Sequence, residues 1–301
     1  MQRFKLRSFI TALALLAICS VSFAQSVNLE EQKWIHGSAD CSVNTDDPIQ
    51  IVQYNSNTWI LRQNKCTHFE APFMYLFLGK EKALLTDTGA TKEQEKFPLY
   101  KTVRRLIDNW DKEHNTSMEL VVLHTHNHGD HKAADAQFNG KARTTVVGLQ
   151  PEEVASFFYI NNWPDENVTV DLGGRKLDII PIPGHQESSV AVYDRNTQIM
   201  LTGDTFYPGR LYVADWASFR SSISKLVAFA ADNPIKYILG NHIEMSVNDG
   251  KDYPMGSKYH PQEQKLPLYL TDLKELHEAL NKIGDTPKRD IHDKFIIFPV
   301  R

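Results

Sequence analysis

Within six residues the chain places three imidazoles and a carboxylate, His126-Asn-His128-Gly-Asp130-His131. Neutral imidazole and carboxylate are the side chains that hold zinc in water, and imidazole also accepts iron and manganese. With twelve His in 301 residues, this order of ligands should arise by chance in roughly one such chain in a thousand. On an extended loop, residues 126 and 128 point to one side and can reach the same cation. Asp130 and His131 follow a Gly that lets the chain turn, so they face a neighbouring position. Four ligands on one closed tetrahedral ion would leave no room for chemistry. Two half-filled sites, sharing a water between two cations, fit better.

The missing ligands must come from elsewhere in the chain. His185 follows Ile182-Pro183-Gly184, Asp204 follows Leu201-Thr202-Gly203, and His242 follows Leu239-Gly240-Asn241. Each is a Gly-punctuated turn after an apolar strand, where α/β scaffolds carry functional groups. Asp87, after Leu84-Leu85-Thr86, occupies a similar place, and its expected part is to orient a ligand imidazole by a hydrogen bond. His124 reads as a strand-end histidine outside the ligand set. His68, His260, His277 and His292 read as surface or loop residues, with His68 and His260 in loops that could flank a pocket. Trp34, Trp59, Trp110, Trp163 and Trp216 read as packing. The stretch from Glu244 to His260, rich in aromatics and Met, is a candidate substrate-facing lid.

The elements that position these residues follow from periodicity. Residues 25 to 47 are polar and are expected along the surface. Alternating or apolar runs predict strands at Gln50–Tyr54, Thr58–Arg62, Phe73–Leu78 and Ala83–Thr86, with turns at 55–57 and 79–81. Pro98 opens a helix whose apolar positions are Tyr100, Val103, Leu106, Ile107 and Trp110. Leu120–Leu123 is a buried strand that ends at the His-rich run. A short helix over Lys132–Phe138 and a strand at Thr144–Val147 follow. The second half repeats the alternation, with strands at Arg175–Ile182, Ser189–Tyr193, Gln198–Thr202, Tyr237–Leu239 and Phe295–Val300. Its helices are marked by Phe219 to Ala230 and by Leu270–Ile283. Two comparable halves predict an α+β fold of two packed mixed sheets with helices outside, in one catalytic domain over residues 25–301.

Taken together, Asp87-Thr-Gly, the His-rich run, Pro183-Gly-His185, Gly203-Asp204-Thr and Gly240-Asn-His242 resemble, in order, the motifs of the metallo-β-lactamase-fold hydrolase superfamily. The resemblance implies a four-layer αβ/βα sandwich with a dimetal site at one edge. It implies that His126, His128 and His185 hold one metal, that Asp130, His131 and His242 hold the other, and that Asp204 bridges them. Two divalent ions, Zn2+ first and Fe or Mn as alternatives, are the expected cofactors. An Asp at position 204 resembles the glyoxalase II, lactonase, alkylsulfatase and phosphodiesterase branches, whereas β-lactamases of the superfamily carry Cys or Ser there. Tyr207 stands at the offset where lactone-hydrolysing members have a Tyr that polarises the substrate carbonyl. The chain departs from glyoxalase II in lacking a basic cluster near its C-terminus.

Arg3, Lys5 and Arg7, the apolar run Phe9–Ile18 and the small residues ending at Ala24 predict a secretory signal over residues 1–24. The run is shorter than the roughly 20 residues a spanning helix needs, and bulky Ile18 argues against lipidation at Cys19. Cleavage would remove three basic residues and leave 30 basic against 37 acidic, a net charge of −7. That balance excludes a nucleic-acid surface and disfavours anionic membranes. In an exported chain, Cys41 and Cys66 are expected to form one disulfide. The expected setting is the periplasm or the exterior, without stable membrane insertion, and the expected partner is a small-molecule substrate.

The leading expectation is an exported zinc hydrolase in which a bridging water attacks an ester, lactone, thioester or amide bond, with Asp130 orienting that water. The alternatives are a β-lactam hydrolase, a mononuclear iron dioxygenase acting on sulfur compounds, and a zinc-binding protein without turnover.

Overall fold

A computed structural model describes residues 26–300, and the expected signal segment lies outside them. The elements are β1 (Ile49–Asn55), β2 (Thr58–Gln63), β3 (Phe73–Leu78), β4 (Lys82–Thr86), α1 (Leu99–His114), β5 (Glu119–Leu123), α2 (Gly129–Lys132), β6 (Thr144–Val146) and α3 (Pro151–Phe158). The second half holds β7 (Val168–Asp171), β8 (Lys176–Pro181), β9 (Val190–Asp194), β10 (Ile199–Gly203), β11 (Arg210–Val213), α4 (Trp216–Asp232), β12 (Tyr237–Gly240), α5 (Leu270–Ile283), β13 (Asp290–Ile291) and β14 (Ile296–Pro299). Sheet one has the order β1-β2-β3-β4-β5-β6, and sheet two β12-β10-β9-β8-β7.

Side-chain alternation explains the layering. Along β3, Phe73, Tyr75 and Phe77 enter a core that also receives Leu177, Ile179, Val190, Val192, Ile199 and Leu201 from sheet two. Met74, Leu76 and Leu78 point the other way, onto Val103 and Ile107 of α1. In sheet two, Ile180, Ala191 and Met200 face Phe219, Ile223 and Leu226 of α4 and Leu273 and Leu276 of α5. Strands buried on both faces lie between two sheets' shared core and an outer helical layer, which is the four-layer α/β/β/α sandwich expected.

Strand direction places the site. In sheet one, β4 and β5 are parallel. In sheet two, β10 and β12 are parallel, and two antiparallel steps through β9 turn β8 the same way as β10. The C-terminal ends of β4, β5, β8, β10 and β12 therefore carry Asp87, the His-rich run, His185, Asp204 and His242. Gly184, at φ +138°, allows the turn after β8 to lie against α4, where a Cβ would overlap the Phe219 backbone.

Some expectations change. The helix expected over 132–138 is a single turn at Gly129–Lys132, with His131 buried, followed by a 3-10 turn at Asp135–Gln137. The closing strand is present as expected, but it belongs to neither of the two expected sheets. It forms a third, three-stranded sheet, β11-β14-β13. The leading segment is mostly exposed or half-buried, yet Leu29 and Trp34 are buried in the central core. Cys41 and Cys66 form the expected disulfide.

One buried ion pair ties the sheets together. Arg175 meets Asp194 at 2.6 Å, and it also donates to the Asn57 and Leu78 carbonyls and to Thr58 Oγ1 of sheet one. Removing one member of such a pair strands the other's charge in a dry core. Arg175→Met is therefore expected to cost about 3–5 kcal/mol of unfolding free energy, read by denaturant titration. A loss below about 1 kcal/mol, ordinary for a surface pair, would deny it this role.

Candidate metal centre

The seven residues expected as ligands converge in two groups, His126, His128 and His185 in one and Asp130, His131, Asp204 and His242 in the other. In the first, His128 Nδ1 lies 3.0 Å from His126 Nε2 and 3.1 Å from His185 Nε2. In the second, His131 Nε2 lies 3.3 Å from His242 Nε2 and 3.2 Å from Asp130 Oδ2, and His242 Nε2 lies 3.3 Å from Asp130 Oδ2. Ligand atoms 2.0–2.1 Å from a tetrahedral zinc stand about 3.3 Å apart, so both spacings fit such an ion. Asp204 lies between the groups. Its Oδ2 is 3.4 Å from His131 Nε2 and 3.9 Å from both His126 Nε2 and His185 Nε2, while Oδ1 is 3.4 Å from His242 Nε2.

The second nitrogen of each buried imidazole is held from behind. His185 Nδ1 pairs with the Tyr212 carbonyl at 2.7 Å, His242 Nδ1 with the Glu70 carbonyl at 3.0 Å, and His131 Nδ1 faces Asp87 Oδ2 at 3.4 Å. For His185 and His242 the carbonyl at Nδ1 fixes the tautomer that leaves Nε2 free to ligate. Asp87 stands behind His131 but makes no hydrogen bond to the ring, whose Nδ1 lies 3.2 Å from Asn241 Nδ2. It sits fully buried at φ +63° and accepts from Thr125 N at 2.7 Å, from Thr125 Oγ1 at 2.9 Å and from Asn241 Nδ2. It thus joins the ends of β4, β5 and β12.

The charges also fit a cation. Burial pushes the Asp204 and Asp130 carboxyls up, but His242 and His131 more than reverse this and hold both well below the ordinary range. Burial would depress His131 and His242, yet the facing carboxylates raise both well above their usual value. His126 and His185, with fewer carboxylates around them, are held low by burial, which favours the neutral imidazole that a metal requires. Asp204 Oδ1 is buried and has no hydrogen-bond donor among the described residues. A donor set of five imidazoles and two carboxylates with this orphaned oxygen fits a pair of divalent ions.

Other expected residues fall elsewhere. His124 is outside the set, bound through Nε2 to Asp135 Oδ1 at 2.8 Å. Tyr207, expected to polarise a carbonyl, lines the pocket beside His242, with its hydroxyl engaged by neighbouring groups. That hydroxyl donates to the Arg210 carbonyl at 2.6 Å and lies 3.1 Å from Glu244 Oε2. Arg210 engages Glu244 at 2.6 Å and Asp252 at 2.7 Å, fastening the loop after His242. That loop does line the pocket, through Pro254, Met255, Gly256 and Ser257. The pocket above the ligands encloses about 380 Å³ and includes Lys65, Glu70, Glu244 and His260. Of these, Lys65 and Glu70 gave no sequence signal, because a lone charged residue in a loop reads as solvated.

A profile of the metallo-beta-lactamase superfamily matches residues 69–242, and the chain belongs to that family. It is 28% identical over 135 residues to a hydroxyacylglutathione hydrolase of Rhizobium meliloti (strain 1021), covering 42% of this chain and 52% of that one. It is 27% identical over 182 residues to the human acyl-coenzyme A thioesterase MBLAC2, covering 51% and 64%. The chain thus spans between half and two thirds of the length of these relatives. A metallo-beta-lactamase from Pontibacter korlensis is 21% identical, with a TM-score of 0.49, over 77% of this chain and 99% of that one.

Proposed function

We propose that the protein is an exported dinuclear metal hydrolase, zinc-loaded in its working form, that cleaves carboxylic thioesters or esters, lactones included. The observation that carries this reading is Asp204, whose two oxygens reach toward both histidine groups from one buried position. Seven ligands in two groups favour two cations over a single iron. Bound there, divalent ions lower the pKa of water toward about 7 and polarise a carbonyl oxygen. The chain's own contribution is placement. His131, His185 and His242 each have a partner behind the ring, at the second nitrogen. Asp130, whose side chain keeps 22% of its exposure against 0% for His131, is the carboxylate open to the pocket and is suited to orient the attacking water. The names of the two curated relatives favour a thioester as the first substrate to try. Tyr207 takes no part in the reaction on this reading and instead anchors Arg210 and Glu244.

The disulfide between Cys41 and Cys66 supports an oxidising compartment. Among the described residues no helix is long and apolar enough to cross a membrane.

Chelation of the purified protein is expected to abolish thioesterase activity, and zinc to restore it, with two metals per chain by elemental analysis. A panel of thioester, ester, lactone and β-lactam substrates would rank the bond types. Activity that survives complete metal removal, or one iron per chain with oxygen uptake, overturns the reading.

A further inference from the structure

The pocket above the metal ligands has a charged wall that the hydrolytic reading does not use. Lys65 is only 2% exposed. Its ammonium donates to the Phe69 carbonyl at 3.0 Å, and among the described residues no carboxylate lies within 4.0 Å of it. The nearby acids are largely committed. Glu263 is bound by both Nη atoms of Arg62 at 2.6 Å, and Glu244 is bound by Arg210. His260, 4% exposed, lines the same cavity. Its Nδ1 stands 3.3 Å from Glu263 Oε1 without hydrogen-bond geometry, and neither ring nitrogen has a hydrogen-bond partner. Tyr253 stacks on its ring at 4.0 Å and fixes it.

A buried ammonium with one carbonyl partner is costly unless something else meets its charge. The cost is borne in a rigid place, next to the disulfide at Cys66 and against Gly37. Burial and Arg62 draw the Lys65 ammonium down to about 8, so it stays charged at neutral pH. Lys65 is a compact point charge suited to an oxyanion of any geometry.

We propose that Lys65, with His260 beside it, is the anion-receiving corner of the substrate pocket, and that the protein selects thioesters or esters carrying a carboxylate or phosphate away from the reacting carbonyl. The inference rests on the hydrolase reading and names the substrate class of that same site. A buried Lys that only props the turn at Phe69 would instead affect all substrates alike.

Three matched thioesters separate these outcomes: the S-acetyl esters of propanethiol, of 3-mercaptopropionate and of 3-mercaptopropyl phosphate. On the unmodified protein at least one anionic ester is expected to show a KM about tenfold or more below that of the neutral one, and which of the two does so tells carboxylate from phosphate. Lys65→Met is expected to erase that advantage, raising KM for the favoured ester about tenfold or more while leaving kcat and the neutral ester within about twofold. Equal KM values on the unmodified protein overturn the proposal, as does an equal loss on all three esters in the variant. If none of the three is turned over, the choice of a thioester has failed separately, and the wider panel of bond types tests the hydrolase reading. Calorimetry with glutarate and with inorganic phosphate on the metal-loaded protein then decides the corner. Binding lost in Lys65→Met upholds it, and binding that is absent or unchanged rejects it.

Discussion

Asp204→Asn is expected to be the most damaging single change in the protein. The amide keeps the shape of the carboxylate but loses its charge, and it can offer a lone pair on one side only. The two groups of imidazoles would then lose the one oxygen pair that stands 3.4 to 3.9 Å from nitrogens of both. Metal content should fall from two ions to at most one. The value of kcat/KM should fall by more than about 100-fold, beyond the loss typical of residues that only support a ligand. Elemental analysis and thioester hydrolysis read both quantities, and circular dichroism checks that the variant is folded. A variant that retains two metals, with a rate loss worth under about 1 kcal/mol in the barrier, would show that Asp204 does not bridge.

Asp87→Ala should act on folding and metal affinity together. Three donors converge on this carboxylate, the Thr125 amide and hydroxyl and the Asn241 side chain. Each becomes a buried unsatisfied group at about 1–3 kcal/mol, so a total loss of at least about 3 kcal/mol is expected. For a domain of this size that lowers the melting temperature by roughly 10 °C. Without the carboxylate behind its Nδ1, His131 also loses its orientation, and affinity for the metal it shares with His242 should drop about 10- to 100-fold. Asp87→Gly would relieve the backbone at φ +63° without restoring either function. A melting curve and a zinc titration that both overlay those of the parent would remove Asp87 from the site's support.

Much of this was legible in the chain because the relevant physics is local. Period-two alternation in Phe73–Leu78 assigns three side chains to each face, and the structure sends them to two different cores. The helix over Leu270–Ile283 is found at its expected bounds, with Asp272 capping its first turn through the Tyr269 amide at 2.8 Å. Elements that were missed are short or lie at an edge. α3 has eight residues, and β7 and β11 have four each, too few for a period to show. α3 nonetheless carried a start signal, Pro151 at its first position and Glu153 completing a capping box. The exposed β7 alternates only over four residues, and β11 pairs with β14, 86 residues further along the chain from Arg210 to Ile296.

The sequence by itself determined which atoms can ligate, since residue type fixes donor chemistry and the motif after β5 places four donors within reach of one another. It also pointed to His185, Asp204 and His242 as further candidate ligands, because a turn after a buried strand is the place from which a side chain can leave the core. Only the tertiary structure decided which way Tyr207 points, that Lys65 is buried, and that His260 reaches the pocket. Those outcomes depend on contacts between segments far apart in the chain, such as Arg62 with Glu263 or Arg210 with Glu244 and Asp252. A side chain's environment is set by what folds against it, and no local pattern carries that information.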